Sequence, residues 1–244
     1  MFHVKHGPAT QLRHLSASMD VEMSNLQAAE LVNLVDCLLL EPQNLTAIED
    51  VSEAVGRHLA DSVAGLTLPQ LAGPRVVDLG SGGGFPGLVI AMLRPDISVT
   101  LVESEQRKCE WLRKISTNLP NVRVVADRSE SLASLEREAF ATVTARAVAP
   151  LVPTLELAAP LIQVGGHLLV WATDDDSQDA DGARAAEMLG FGPFARHAVT
   201  PFPDARRHIV VFPKIAPTSA RYPRRPGRAT TRPLVGPSVW PVSR

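Results

Sequence analysis

The stretch RVVDLGSGGGFPGLVIAMLRPDISVTLVES, residues 75 to 104, carries the residue types in this chain most able to do chemistry. An apolar run ends in Asp78, a glycine cluster follows, and a second apolar run closes on Glu103. Without Cβ atoms, glycines let a backbone turn sharply and pass close to a ligand. The cluster therefore describes a cradle for a nucleotide-like group. Asp78 to Gly84 fits D-x-G-x-G-x-G, a pattern that holds S-adenosylmethionine (SAM). Gly82, Gly84 and Gly87 also spell G-x-G-x-x-G, which holds a dinucleotide pyrophosphate.

The two readings differ in what they need. Asp78 at the end of a strand can approach a positively charged amino-acid moiety but would repel a pyrophosphate. Pro86 has no N–H to present where a dinucleotide helix offers donors to phosphate. Glu103, 21 residues after Gly82, can accept hydrogen bonds from ribose hydroxyls in either ligand and argues only against a 2′-phosphate. On this reading Asp78, Gly82, Gly84 and Glu103 contact the cofactor. SAM is favoured, and a nicotinamide dinucleotide remains the alternative.

The elements that must position these residues alternate from Arg75 onward. Strands are expected at 75–79, 98–103, 122–125, 140–145 and 167–172, separated by helical stretches such as QRKCEWLRKISTNL and LVPTLELAAPLI. Such alternation predicts a parallel sheet with helices on both faces. After HLLVWA, five acids in nine residues mark a solvated loop, and ARAAEMLG a short helix. Two further strands, near 194–200 and 207–213, are joined by PFPDAR, too short for a parallel crossover, so they pair antiparallel. The expected fold is α/β and Rossmann-like: a mostly parallel seven-stranded sheet with an antiparallel last strand, as in class I SAM-dependent methyltransferases. Dehydrogenase sheets usually continue parallel.

Upstream, SNLQAAELVNLVDCLLL opens on Ser24 and Gln27, a capping-box spacing, with Leu26, Leu31, Leu34, Val35 and Leu38 at helical intervals. VSEAVGRHLADSVAGL supplies a second helix with Val55, Leu59 and Val63 on one face. These predict an N-terminal helical cap over 21–72 and a SAM-binding domain over 73–213. Residues 1–20 read as a flexible lead-in and 214–244 as a basic, proline-rich tail.

Composition bounds the partners. Apolar residues at 45% and charged residues at 20% describe an ordinary globule with ample core. LVNLVDCLLL is too short to span a bilayer, and MFHVKHGPATQLRH lacks a secretory h-region, so a cytoplasmic protein with no membrane partner is expected. Cys37 and Cys109 form no metal-binding pattern and suit a reducing compartment; no metal is expected. From Lys214 to Arg244 there are seven Lys/Arg and no acid, leaving 17 basic against 26 acidic residues elsewhere. A basic tail on an acidic body points to an anionic partner.

Absences narrow the methyl acceptor. The fourth strand ends in TARAVAP rather than the Asn/Asp-Pro-Pro-aromatic motif of amino-methylating adenine and cytosine enzymes. Neither cysteine falls where a cytosine C5 nucleophile would, and no suitably placed lysine cluster supports ribose 2′-O-methylation. Arg146 is what remains at that strand end, a fixed cation beside the cofactor.

Four stretches carry a more specific signal: NLTAIEDVSEAVGRHLADS, VVDLGSGGGFPGLVIAMLRPD, TARAVAPL and RRHIVVFPKIAPTSARYPRRPGRATTRPL. Through them the chain resembles the small-subunit ribosomal RNA guanine-N7 methyltransferases, also called glucose-inhibited division protein B. The glycine motif is widely shared; RHLADS, GFPG and YPRRPG are far more particular. The resemblance implies SAM-dependent methylation of one guanine, guanine 527 in the family, in 16S ribosomal RNA, with 16S rRNA or the small ribosomal subunit as partner. It implies SAM contacts at Gly80, Phe85, Ser129, Glu130 and Arg146. One departure is the fifth strand, which in relatives commonly ends in Lys-Gly and here runs through Ala172-Thr173 into three aspartates.

Guanine N7 carries a free lone pair at neutral pH, so no proton leaves before attack and no general base is assigned. Positioning alone can supply about 7–11 kcal/mol of the barrier. Arg146 is expected to orient the SAM carboxylate or to hydrogen-bond guanine. For RNA, Arg57, His58, Arg206, Arg207, Arg221, Arg224 and Arg225 are the expected contacts, with Tyr222 stacking on a base. A monomer is expected. The competing classes are the nicotinamide oxidoreductase, a non-catalytic SAM-binding ribosome assembly factor, and a methyltransferase of another RNA or a small molecule.

Overall fold

The computed structural model describes residues 7–43, 45–173 and 177–236. Seven strands form one sheet in the order β3-β2-β1-β4-β5-β7-β6. They are β1 Arg75–Leu79, β2 Ser98–Glu103, β3 Val122–Ala126, β4 Phe140–Arg146, β5 Ile162–Thr173, β6 Ala195–Val199 and β7 Arg207–Pro213. All neighbours pair parallel except β7, which runs antiparallel to both β5 and β6. Parallel pairing buries both faces. Val76, Val99, Leu101, Leu169, Trp171 and Ile209 face one core, and Val77, Val102, Val143, Leu168, Val210 and Phe212 the other.

The first core lies under the cap. It contains α1 (Pro8–Ala17), α2 (Asn25–Leu39) and a continuous helical stretch made of α3 (Val51–Ala54), a π-helical segment (Val55–Ala60), α4 (Asp61–Val63) and a 3₁₀ turn (Ala64–Thr67). Helices α5 (Gly87–Leu93) and α6 (Gln106–Ile115) complete that layer. The capping box forms as the spacing predicts: Gln27 N donates to Ser24 Oγ at 3.1 Å, and Ser24 N to Gln27 Oε1 at 2.9 Å. The opposite layer holds α7 (Ser129–Leu135), α8 (Leu151–Ala158), α9 (Asp179–Met188) and the short α10 (Arg228–Thr231).

Four expectations for the cap, the sheet and its helices change. Residues 8–17, read within a flexible lead-in, form α1; it starts with Pro8 at its first position and buries only Leu12 and Ser16, too sparse a stripe to show as periodicity. Residues 1–6 lie outside the described residues. The second cap helix is not uniformly α-helical, because its centre widens into π geometry. Strand β5 begins at Ile162, five residues early, as a register shift opposite Phe140 and Thr142 lets the chain bend through Gly165. Helix α9 starts at Asp179, inside the acidic run read as loop, and two of those acids occupy its first turn where the dipole favours them; Asp174 to Asp176 lie outside the described residues.

The tail departs most. Prolines and charge argue against a core of its own, yet it borrows one: Tyr222 is 3% exposed, Ala229 is buried, and Leu234 and Val235 pack on the second core. Arg137 fastens it through Tyr222 O at 2.8 Å and Thr218 O at 2.7 Å.

Cap and sheet meet at Trp171. Its Nε1 donates to Asp61 O at 2.8 Å, and its ring lies against Gly65, where an added Cβ would come within 2.5 Å. Gly65→Ala is therefore expected to cost about 1–3 kcal/mol by overpacking, read as a lower urea midpoint at unchanged slope. An unchanged midpoint would mean the cap yields at this seam.

Candidate active site

The glycine loop takes the shape its composition allows. Gly80, Gly82 and Gly84 have φ of +62°, +53° and +104°, a region costly for other residues. A Cβ on Gly84 would also lie 2.3 Å from Leu88 Cδ1. Trp111 Nε1 donates to Gly83 O at 3.1 Å, and Ser81 N to Val102 O at 3.0 Å, so the loop is braced by β2 and α6.

Asp78 answers the choice between ligands in an unexpected way. It is 1% exposed, and its oxygens accept from Thr144 Oγ1 at 2.7 Å and from Gly87 N, the first residue of α5, at 3.2 Å. Burial pushes its carboxyl up to about 6 against these hydrogen bonds. A carboxylate thus occupies the helix terminus where a pyrophosphate would sit. Asp78 braces the loop; the expectation that it approaches the ligand is corrected by its inward-facing bonds.

Glu103 Oε2 accepts from Gly82 N at 3.0 Å, and Oε1 from Ser104 N at 2.8 Å and Glu105 N at 2.9 Å. Two oxygens offer about four lone-pair sites, so Oε2 retains capacity for a hydroxyl. Ser129 and Glu130 open α7, both buried, and Glu130 Oε1 accepts from Gly227 N at 3.1 Å. The tail thereby reaches a residue pair expected at the cofactor.

A second cluster forms at the end of β4. Arg146 Nη1 donates to Asp61 Oδ2 at 3.1 Å and to Arg57 O at 3.0 Å, while Nη2 lies 3.4 Å from His58 Nδ1. The guanidinium lies 5.5 Å from the centroid of Phe85, on which the His58 ring stacks at 4.9 Å. Arginine only donates, so His58 Nδ1 is the acceptor, and Nε2–H faces Thr46 Oγ1 at 2.8 Å. Burial, then Arg146 and Arg57, push His58 down to about 4, so the ring is neutral at pH 7. Burial raises the Asp61 carboxyl, and Arg146 and Arg207 pull it back. Ala147, directly after Arg146, has φ +55°, a strained backbone for a residue with a Cβ.

These groups line a cleft of about 560 Å³ between the cap, the loop after β4 and the ends of β5 and β7. Arg57, His58, Asp61, Arg146, Trp171 and Arg207 all contribute to it. Among the described residues no group of His, Cys, Asp and Glu could hold a metal ion.

A family model described as rRNA small subunit methyltransferase G (GidB) matches residues 27–209. The chain belongs to this family. A relative from Chloroflexus aggregans, named ribosomal RNA small subunit methyltransferase G, is 38% identical over 88% of this chain and 93% of its own. One of the same name from Roseiflexus sp. is 39% identical over 78% and 84%. Among solved structures, a 16S rRNA (adenine(1408)-N(1))-methyltransferase from Catenulisporales acidiphilia overlays with a TM-score of 0.50 at 14% identity, covering 60% of this chain and 87% of that one. That likeness bears on the fold alone.

The RHLADS stretch, which runs from the π-helical segment into α4, grips Arg146 through Arg57 O and Asp61 Oδ2. The sequence pattern assigns Asp61 no task, and it does not single out Thr46 or Trp171. The available signal was an acid inside the apolar and small-residue run LADSVAGL. Of the expected RNA contacts, Arg57, His58 and Arg207 share the cleft; Arg206 is exposed beside it in sequence. The tail residues divide. Arg221 and Arg225 are exposed. Tyr222 is buried with Arg221 over its ring, so base stacking is corrected to a core role. Arg224 donates to Glu156 Oε1 at 2.7 Å and Oε2 at 2.5 Å, and Glu156 is 1% exposed, so this arginine is spent on a buried carboxylate.

Arg224→Ala strands that carboxylate and is expected to cost on the order of 3 kcal/mol. Arg221→Ala with Arg225→Ala should leave the melting temperature unchanged and flatten the salt dependence of RNA affinity by roughly 0.7–0.9 per lost phosphate contact. The reverse pattern would exchange their roles.

His58 and Asp78 make opposite contributions to stability in acid. His58 favours folding above its ordinary 6.5, and that contribution is lost as pH falls toward 4. Asp78 holds its proton more tightly when folded, so its contribution is lost as pH rises from its ordinary 3.8 to about 6. In His58→Gln the first effect is gone, so the variant's deficit relative to the parent should shrink between pH 7 and 4.5, by about 2 kcal/mol. Parallel stability curves would contradict a neutral buried His58.

Proposed function

We propose that the protein transfers the methyl group of SAM to N7 of one guanine in 16S ribosomal RNA, with the cofactor against the glycine loop and the base in the cleft beside Arg146. SAM-dependent rRNA methylation follows from family membership; the atom and the placement are our reading. Further parts of it are that the protein acts as a monomer in the cytoplasm, and that Arg57, Arg206, Arg207, Arg221 and Arg225 meet phosphates. No helix among the described residues is long and apolar enough to cross a membrane.

The residues present fit the cofactor. Positive-φ glycines bring backbone close, Glu103 keeps a lone pair for ribose hydroxyls, and the buried Phe85, Ser129 and Glu130 are the further contacts we assign. Asp78 excludes a pyrophosphate from α5. When bound, SAM supplies an electrophilic methyl carried on a sulfonium.

One observation carries the choice of N7. Among the described cleft residues the candidate bases are held in hydrogen bonds, and the one unbonded acceptor oxygen, Asp61 Oδ1, belongs to a carboxylate paired with Arg146. His58 uses both ring nitrogens, on Arg146 and Thr46, and Asp61 is paired with Arg146. Methylating an exocyclic amine or a ribose hydroxyl requires a proton to leave; N7 requires none. What the chain must do is hold the base in line and exclude water, which the cap and the cleft walls accomplish.

Calorimetry should show SAM binding and no NAD binding. Gly84→Ala, which crowds Leu88 and strains the loop, should weaken SAM at least about tenfold. Nucleoside digests of small subunits treated with the protein and labelled SAM should contain 7-methylguanosine. Methylated adenosine, cytidine or ribose would reject the assignment.

A further inference from the structure

Asp61 is 4% exposed and lines the cleft, yet only one of its oxygens is hydrogen-bonded. Oδ2 accepts from Arg146. Oδ1 is closed to solvent and has no hydrogen-bond partner among the described residues. Arg207 Nε stands off at 3.7 Å, near enough to offset charge and beyond hydrogen-bond reach. Buried carboxylate oxygens seldom go without a donor, because an unmade bond there costs more than a made one gains. The arrangement is a carboxylate held rigidly by one arginine at the cleft wall, with a covered acceptor oxygen that no donor satisfies and that Arg207 flanks.

We propose that Asp61 reads the target guanine: Oδ1 accepts the N1–H of the base, with Arg207 turning from Asp61 toward a phosphate as the base enters. The inference rests on guanine N7 methylation and adds the group that recognises the base. Guanine carries a donor at N1, where adenine carries an acceptor that a carboxylate repels. The bond also strengthens during reaction. As the N7 lone pair closes on the methyl carbon, the sulfur–carbon bond breaks with its electron pair left on sulfur. Positive charge passes to the guanine ring, no proton leaves, and N1–H becomes more acidic. A carboxylate at N1–H therefore holds the transition state more tightly than the ground state, which is the condition for raising kcat. Arg146 favours the charged form of Asp61 against its burial and aims it; Trp171 fixes the backbone behind it.

The test uses small subunits reconstituted with guanosine, inosine or 2-aminopurine ribonucleoside at the methylated position. All three keep N7; inosine keeps N1–H and O6 without the 2-amino group, and 2-aminopurine keeps the amino group without N1–H or O6, so the Asp61→Asn comparison isolates the N1–H contribution. The unaltered protein should use inosine within a few-fold of guanosine and lose on the order of 10²–10³ in kcat/KM on 2-aminopurine, chiefly in kcat. In Asp61→Asn the guanosine-to-2-aminopurine ratio should collapse to a few-fold, with SAM affinity by calorimetry unchanged. A structural role alone would slow all three substrates equally and preserve the ratio, which overturns the proposal. If Asp61→Asn does not fold, Asp61→Glu, which keeps the carboxylate, takes its place, read as a shift of the same ratio, and equal rates of the unaltered protein on guanosine and 2-aminopurine overturn the proposal outright. Absence of 7-methylguanosine from the guanosine substrate would instead reject the N7 reading itself.

Discussion

A guanidinium and a carboxylate, Arg146 and Asp61, meet 3.1 Å apart where the cap closes on the sheet, with side-chain exposures of 18% and 6%. Charges that dry are tolerated only when well paired, and removing one partner typically costs 3–5 kcal/mol. The pair fixes more than itself. Arg146 also takes the Arg57 carbonyl and faces His58, whose ring lies on Phe85 of the glycine loop. The backbone of Asp61 holds Trp171 on β5. A single interaction thus ties three parts of the molecule: the cap, the loop expected to carry the cofactor, and the wall of the cleft. The π-helical turn is the local device for it, since the wider turn belongs to the segment whose Arg57 carbonyl Arg146 captures.

Much of this was legible in the residues, for reasons that can be named. Strand positions follow from apolar runs buried on both faces, and the reversal of β7 from a connection too short to cross over. The capping box fixed the start of α2 because its two bonds are local. What escaped was non-local. Helix α1 has only a sparse buried stripe, so its order depends on contacts with the rest of the cap. Tyr222 and Arg224 look like a nucleic-acid motif until α8 supplies Glu156 and the second core supplies a place for the ring. Asp61 was visible only as an acid in an apolar helix; its value comes from Arg146, 85 residues away. Asp78 shows the same limit in reverse, since an acid beside glycines reads as a ligand contact and serves here as a brace for α5.

The tail links these observations to the chemistry. It is bound through Arg224 to α8 and through Gly227 to Glu130, the residue beside the expected cofactor. A basic segment that leaves Arg221 and Arg225 exposed while spending Arg224 inside combines a structural anchor with an electrostatic surface. The sheet therefore carries the glycine loop, the cap aims the charges, and the tail packs along the flank. None of these parts needs a proton acceptor, which is consistent with an acceptor atom whose lone pair is already free.

The central claim is that Arg146 stands at the boundary between cofactor and base, clamped there by the cap. A crystal structure of the protein with S-adenosylhomocysteine and 7-methylguanosine monophosphate tests it most directly. The account predicts S-adenosylhomocysteine against Gly80 to Gly84 with its ribose on Glu103, and the methylated base in the cleft with Arg146 and Asp61 still paired beside it. S-adenosylhomocysteine lying in the cleft itself, or an Arg146 released from Asp61 with the base bound elsewhere, would contradict it.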